Sequence, residues 1–132
     1  LGEQMSIDES TSVLLIPIPP SKTYKIRRGF NQAHLIATIF STAIPHAKVV
    51  NIVTRVRNVA AQSSIKKKSA RLRNMEGAFA AAAPPHNHTV AILVDDIITT
   101  GATMEAARKA LKAAGWKTVY GFAVAYTPLR EK

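Results

Sequence analysis

Two kinds of apolar pattern divide the chain. Val13-Leu14-Leu15-Ile16-Pro17-Ile18 is a short continuous run, suited to a strand buried on both faces and ended by Pro19-Pro20. Residues 19–29 are a basic loop closed by Gly29. From Phe30 to Ala43 the apolar positions Ala33, Leu35, Ile36, Ile39, Phe40 and Ala43 recur at helical spacing, with Asn31 as N-cap and Pro45 as stop. The valines and isoleucine of Val49–Arg57 predict a strand. Residues 58–75 are polar and basic, a loop or loosely held helix. Ala78–Ala83, around Phe79, predicts a very short strand before a turn at 84–87. Thr89–Val94 is the clearest strand, followed by a turn at 95–101. Thr103–Ala114 is rich in strong helix formers, and Gly115 stands where a C′ glycine belongs. Thr118–Ala125 predicts the last strand. The order of elements is that of an α/β domain with a mostly parallel sheet flanked by helices.

Length and composition narrow this picture. The 132 residues make one domain, taken as 13–132, while residues 1–12 are polar and aperiodic, a disordered lead or cloning remnant. No apolar run approaches the ~20 residues that span a bilayer. Without cysteine there are no disulfides and no thiolate metal site. Nothing resembles a signal peptide, so a cytoplasmic protein is expected.

Charge changes the picture more. The formal net charge is +10, and it is unevenly placed. Between Ser10 and Met75 there is no acid, but there are twelve cations: Lys22, Lys25, Arg27, Arg28, Lys48, Arg55, Arg57, Lys66, Lys67, Lys68, Arg71 and Arg73. Such a one-signed field destabilises the chain unless an anionic partner meets it: nucleic acid, an anionic membrane surface or a ligand with several phosphates. Aromatics for base stacking are sparse in this stretch, with only Tyr24, Phe30 and Phe40, which favours phosphate ligands. Tyr24 remains a candidate stacking residue. His34, His46, His86 and His88 show no metal-ligand spacing, and Trp116 is expected to pack an edge.

The most informative string is Ile92-Leu93-Val94-Asp95-Asp96-Ile97-Ile98-Thr99-Thr100-Gly101-Ala102-Thr103. It sets two adjacent acids at the carboxyl end of a buried strand, the edge of an open parallel sheet where ligands bind. The Thr-Thr-Gly-Ala-Thr turn then opens a helix, and its hydroxyls, backbone N–H groups and helix dipole form a phosphate cradle. Carboxylates beside a phosphate repel it unless they accept from sugar hydroxyls or hold Mg²⁺ through water. The segment therefore reads as a ribose 5-phosphate grip.

The string resembles the phosphoribosyl pyrophosphate (PRPP) loop of type I phosphoribosyltransferases. Ile16-Pro17-Ile18-Pro19, Arg28-Gly29-Phe30-Asn31-Gln32-Ala33, Arg55-Val56-Arg57 with Gln62, Arg71, Asn74 and Gly77-Ala78-Phe79 resemble the ComF family within that superfamily, over residues 13–127. The resemblance implies a Rossmann-like core and transfer of a 5-phosphoribosyl group to a nitrogen acceptor of unknown identity, with release of pyrophosphate. It implies PRPP on Asp95, Asp96, Thr99, Thr100, Gly101, Ala102 and Thr103, and pyrophosphate on Arg27, Arg28 and Gly29. A flexible lid would carry Arg55, Arg57, Gln62, Lys66 and Arg71. Catalytic work would fall to Asp95, Asp96, Arg57, Lys66 and Lys67, with Mg²⁺ on Asp95 and Asp96. Thr99 occupies the position of the acidic base in purine-salvage relatives, and the string is closer to orotate phosphoribosyltransferases, where a lid lysine assists. The family's link to DNA uptake makes single-stranded DNA, a DNA-uptake protein or a nucleotide signal the alternative partners, and a homodimer is common in the superfamily. Two departures stand out. Asn58-Val59-Ala60-Ala61-Gln62 replaces the family's Thr-Pro-Pro-Gln, and the Cys-rich zinc-binding segment that often precedes the first strand is not in this sequence, as in a truncated or short variant.

Overall fold

The computed structural model describes residues 12–20, 31–56, 77–86, 89–98 and 101–126. Its strands are β1 (Ser12–Pro17), β2 (Ala47–Val49), β3 (Val53–Arg55), β4 (Phe79–Ala81), β5 (Thr89–Ile98) and β6 (Thr118–Tyr126), and its helices are α1 (Gln32–Ser41) and α2 (Ala102–Ala113). Four strands form a parallel sheet in the order β2-β1-β5-β6, and β3 and β4 pair separately as an antiparallel ribbon. The α/β reading with a mostly parallel sheet holds.

Strand alternation sorts the core into two layers. Val13, Leu15, Ile92 and Val94 face α1, where Ala37 is buried and Ile36 and Phe40 pack. Ile16, Ile18, Ala91 and Leu93 face α2 and the ribbon, meeting Ala107, Leu111, Trp116, Val53 and Phe79. The two crossovers run in opposite directions from the central pair: β1 leads through α1 to β2, and β5 through α2 to β6. Right-handed crossovers in opposite directions place their helices on opposite faces. The carboxyl ends of β1 and β5 thus form the topological switch point of the sheet.

Several elements differ from the pattern-based expectation. Val49–Arg57 is not one strand. Ala47–Val49 pairs with β1, the chain leaves the sheet at Val50–Ile52, and Val53–Arg55 joins β4. Valine-rich composition suits either environment and carries no mark of a change of partner. The turn expected at 95–101 begins later, because β6 continues to pair with β5 as far as Ile98. Helix α1 ends at Ser41, and Thr42 and Ala43 form a turn rather than its last residues. Its buried stripe is carried by Ala33 and Ala37, whereas Leu35 (53%) and Ile39 (64%) are exposed. Trp116 is no edge residue: it is 2% exposed, and its Nε1–H donates to the Ala82 carbonyl at 2.8 Å.

Both helix caps follow the sequence. Asn31 Oδ1 accepts from the His34 N–H at 3.3 Å at the start of α1. At the end of α2, Gly115 takes φ 108°, its N–H donates to Lys112 O, and the Trp116 N–H reaches Leu111 O, both at 3.1 Å. This is a Schellman closure, and it turns the indole into the core beside Leu111.

Candidate functional site

The site is built where β5 outruns β1. Pro17 pairs with Val94, and the Ile18 N–H donates to Val94 O at 2.9 Å, after which β1 contributes no further partner. Asp95 and Asp96 follow immediately, on the stretch of β5 that pairs with β6. They stand at the lip of the sheet, past the last pairing of β1 among the described residues. Asp95 continues the alternation of Ala91 and Leu93 and so lies on the α2 and ribbon side.

The two carboxyl groups are tied to the local backbone and to each other. Asp95 Oδ1 accepts from the Asp96 N–H at 2.8 Å, and Asp96 Oδ1 accepts from the Ile97 N–H at 2.9 Å. Burial pushes the Asp95 carboxyl up to about 7, and the hydrogen-bonded, negatively charged Asp96 carboxyl beside it adds to the rise. Its own bond from the Asp96 N–H and the positive charge of Arg55 pull the other way, without winning. A carboxyl in this condition gains from a hydroxyl donor or a cation that replaces its proton.

Arg55 belongs to β3, opposite Phe79 of β4. Its Nε–H donates to the Pro19 carbonyl at 2.9 Å, and its guanidinium lies 4.9 Å from the centre of the Phe79 ring. Burial lowers its pKa, and the attraction of Asp95 opposes that shift. The described residues contain an ion pair between Arg108 and Glu105 on α2, but none between Arg55 and Asp95. The structure therefore fixes Arg55 in the stem of the ribbon. The Val56 N–H bonds to Ala78 O at 2.9 Å, closing that stem.

Gly101 precedes α2 with φ 82° and ψ 1°, a left-handed conformation natural to glycine, and as N-cap it has no side chain of its own to offer the helix. Ala102 is buried and Thr103 half-buried in the first turn. Asp95 and Asp96 thus lie on β5 and Gly101, Ala102 and Thr103 at the start of α2, with Arg55 on β3 within electrostatic reach of Asp95. Thr99, Thr100, Arg27, Arg28, Gly29, Arg57, Gln62, Lys66, Lys67 and Arg71, with the rest of the expected pyrophosphate loop and lid, lie outside the described residues. Composition did not reveal the Pro19–Arg55–Phe79 contact set. The sequence marks Pro19 as a strand end and Phe79 as apolar, and neither signal points to a guanidinium.

Among the described residues no three His, Cys, Asp or Glu gather into a metal cluster. The acids available to a cation are the Asp95–Asp96 pair, whose hard carboxylate oxygens fit Mg²⁺ held through water. No described helix is long and apolar enough to cross a membrane.

No family model matches the chain. It is 34% identical to Competence protein F of Haemophilus influenzae over 103 residues, covering 76% of this chain and 44% of that protein. Over 98 residues it is 38% identical to Competence protein ComFC of Bacillus subtilis, covering 74% of this chain and 38% of the relative. The DNA utilization protein YhgH of Shigella flexneri is 34% identical over 107 residues, 80% of this chain and 45% of that protein. The chain thus spans less than half the length of these relatives, and over that span it is similar to proteins named for competence and DNA utilization.

Proposed function

We propose that this chain is a PRPP-binding domain of the type I phosphoribosyltransferase fold. It would transfer a 5-phosphoribosyl group to a nitrogen acceptor within a process of DNA uptake or utilization. The observation that carries the reading is the acid pair at the switch point, followed by a left-handed glycine opening α2. An open parallel sheet binds ligands at this place, and a helix start favours phosphate. The names of the relatives support the link to DNA uptake.

In this reading the 5-phosphate rests on Thr99–Thr103, and Asp95 and Asp96 accept from the ribose hydroxyls. Mg²⁺ would be held by the same two acids through water and would neutralise charge on the pyrophosphate. The acceptor nitrogen attacks ribose C1 as the C1–O bond to pyrophosphate breaks, and the bonding pair leaves with the pyrophosphate. Arg27, Arg28 and Gly29, with Arg57, Lys66 and Lys67, would meet that growing negative charge. The nitrogen's proton passes to a base that the described residues do not identify.

Calorimetry with PRPP and Mg²⁺ tests this directly. Saturable binding is expected for the wild type, with a loss of at least about 100-fold when Asp95→Asn is combined with Asp96→Asn. Binding indifferent to that double substitution overturns the assignment. A pyrophosphate-release assay against bases, amines and ammonia then identifies the acceptor.

One observation favours a second, non-catalytic reading as a single-stranded DNA or nucleotide-binding accessory. The twelve uncompensated cations between Ser10 and Met75 exceed what one PRPP molecule needs. Single-strand affinity should then fall linearly in a log–log salt titration, with a slope that counts phosphate contacts. Affinity constant from low to high salt rejects it.

A further inference from the structure

Arg55 touches two segments that are far apart in sequence and faces a third. Its Nε–H holds the Pro19 carbonyl at the end of β1, and its guanidinium lies over Phe79 of β4. Its ribbon neighbours Val53 and Phe79 share one buried core with Ala91 and Leu93 of β5, two to four residues before Asp95, on which its charge acts. The switch-point cleft has two walls, the ends of β1 and β5, and they stop being hydrogen-bonded to each other after Ile18 and Val94. Beyond that point the sheet no longer fixes their separation. Arg55 reaches one wall by a directed hydrogen bond, and the ribbon that carries it packs against the other wall and α2. A planar guanidinium suits this task, because its donor directions are rigid and its face is free to lie against an aromatic ring.

We infer that Arg55 is a positioning residue that sets the distance between the β1 wall and the acid-bearing β5 wall. The inference rests on the PRPP reading, in which the ribose phosphate lies at β5 and the pyrophosphate at β1. A ligand that spans both walls gains from their being held at the correct spacing, as two linked contacts do. A ligand that occupies one wall alone gains nothing from it. Arg55 therefore governs affinity for the complete ligand and not for either half.

The experiment is calorimetry, with Mg²⁺ present, on wild type, Arg55→Met and Arg55→Lys, using PRPP, ribose 5-phosphate and pyrophosphate as separate probes. Methionine keeps an unbranched stem against Phe79 but donates no hydrogen bond. Lysine keeps the charge without the fixed Nε–H. Both variants are expected to weaken PRPP binding about tenfold while each half-ligand stays within about twofold. A parallel fall for pyrophosphate would make Arg55 a direct phosphate contact and overturn the positioning role. A fall for all three probes, or no change for PRPP, overturns it equally. Should Arg55→Met fail to melt cooperatively, Arg55→Lys carries the comparison. If wild type binds no PRPP, the underlying reading fails and takes the inference with it. If wild type binds PRPP and the variants match it, only the inference fails.

Discussion

The two crossover units, β1-α1-β2 and β5-α2-β6, share a plan and differ in finish. Helix α1 begins on a side-chain cap from Asn31 and leaves Leu35 and Ile39 in solvent. Helix α2 begins on Gly101, whose backbone is left-handed and which offers no side chain to the first turn. It ends in a glycine closure that seals Trp116 into the core. The strand before α2 overshoots its neighbour with two acids, whereas β1 stops at two prolines. The first unit satisfies its own helix start. The second is tightly anchored at its far end and carries two acids and a glycine helix start at its near end.

Substitutions can break or sharpen this contrast. The largest loss is expected at the anchor. Trp116→Ala should cost about 3–5 kcal/mol of stability, read from urea unfolding, because the indole is fully packed. A loss below about 1 kcal/mol would show that α2 does not depend on its sealed end.

Asp95→Asn follows, and its effect depends on pH. The folded carboxyl titrates near 7, above its ordinary 3.8, so the folded state holds a proton that the unfolded state releases. That contribution to stability is complete below about pH 4 and is lost as pH rises through about 7. Asparagine removes the dependence. Thermal melts should show the variant gaining on wild type from pH 4 to pH 8, and an equal gap at both ends would contradict the raised value. A gain in stability coupled to a loss of PRPP binding would mark the carboxyl as kept for its ligand.

Gly101→Ala should cost about 1–2 kcal/mol, since alanine meets the left-handed backbone penalty. The same melts detect it. Asn31→Ala should cost about 1 kcal/mol through its lost cap. Leu35→Gln and Ile39→Gln come last, each within about 0.5 kcal/mol, as exposed positions allow. A larger cost at either would show that this side of α1 is covered in the intact protein.

The fold is legible in the sequence where local chemistry and tertiary structure agree. Asn31 and Gly115 were legible because a cap is decided within a few residues. The acid pair was legible because its strand and helix flank it directly. Val49–Arg57 misled because a change of strand partner leaves no trace in valine content. The periodic stripe of α1 misled at Leu35 and Ile39, since spacing defines a face but not whether anything lies against it. Arg55 was visible only as one cation among twelve. Its partners Pro19 and Phe79 come from distant parts of the chain, and only folding brings them together.

The sheet register also bears on how the chain is made. The central strand β1 pairs on one edge with β2, close in sequence, and on the other with β5, more than half the chain away. During synthesis the first crossover emerges with that second edge bare, and it stays so until β5 has left the ribosome. Closing so long a loop is slow, and an unpaired apolar edge is exposed to wrong partners meanwhile. The pairing that creates the switch point is therefore also the longest-range closure in the described sheet, so the place where the acids stand is assembled from opposite halves of the chain.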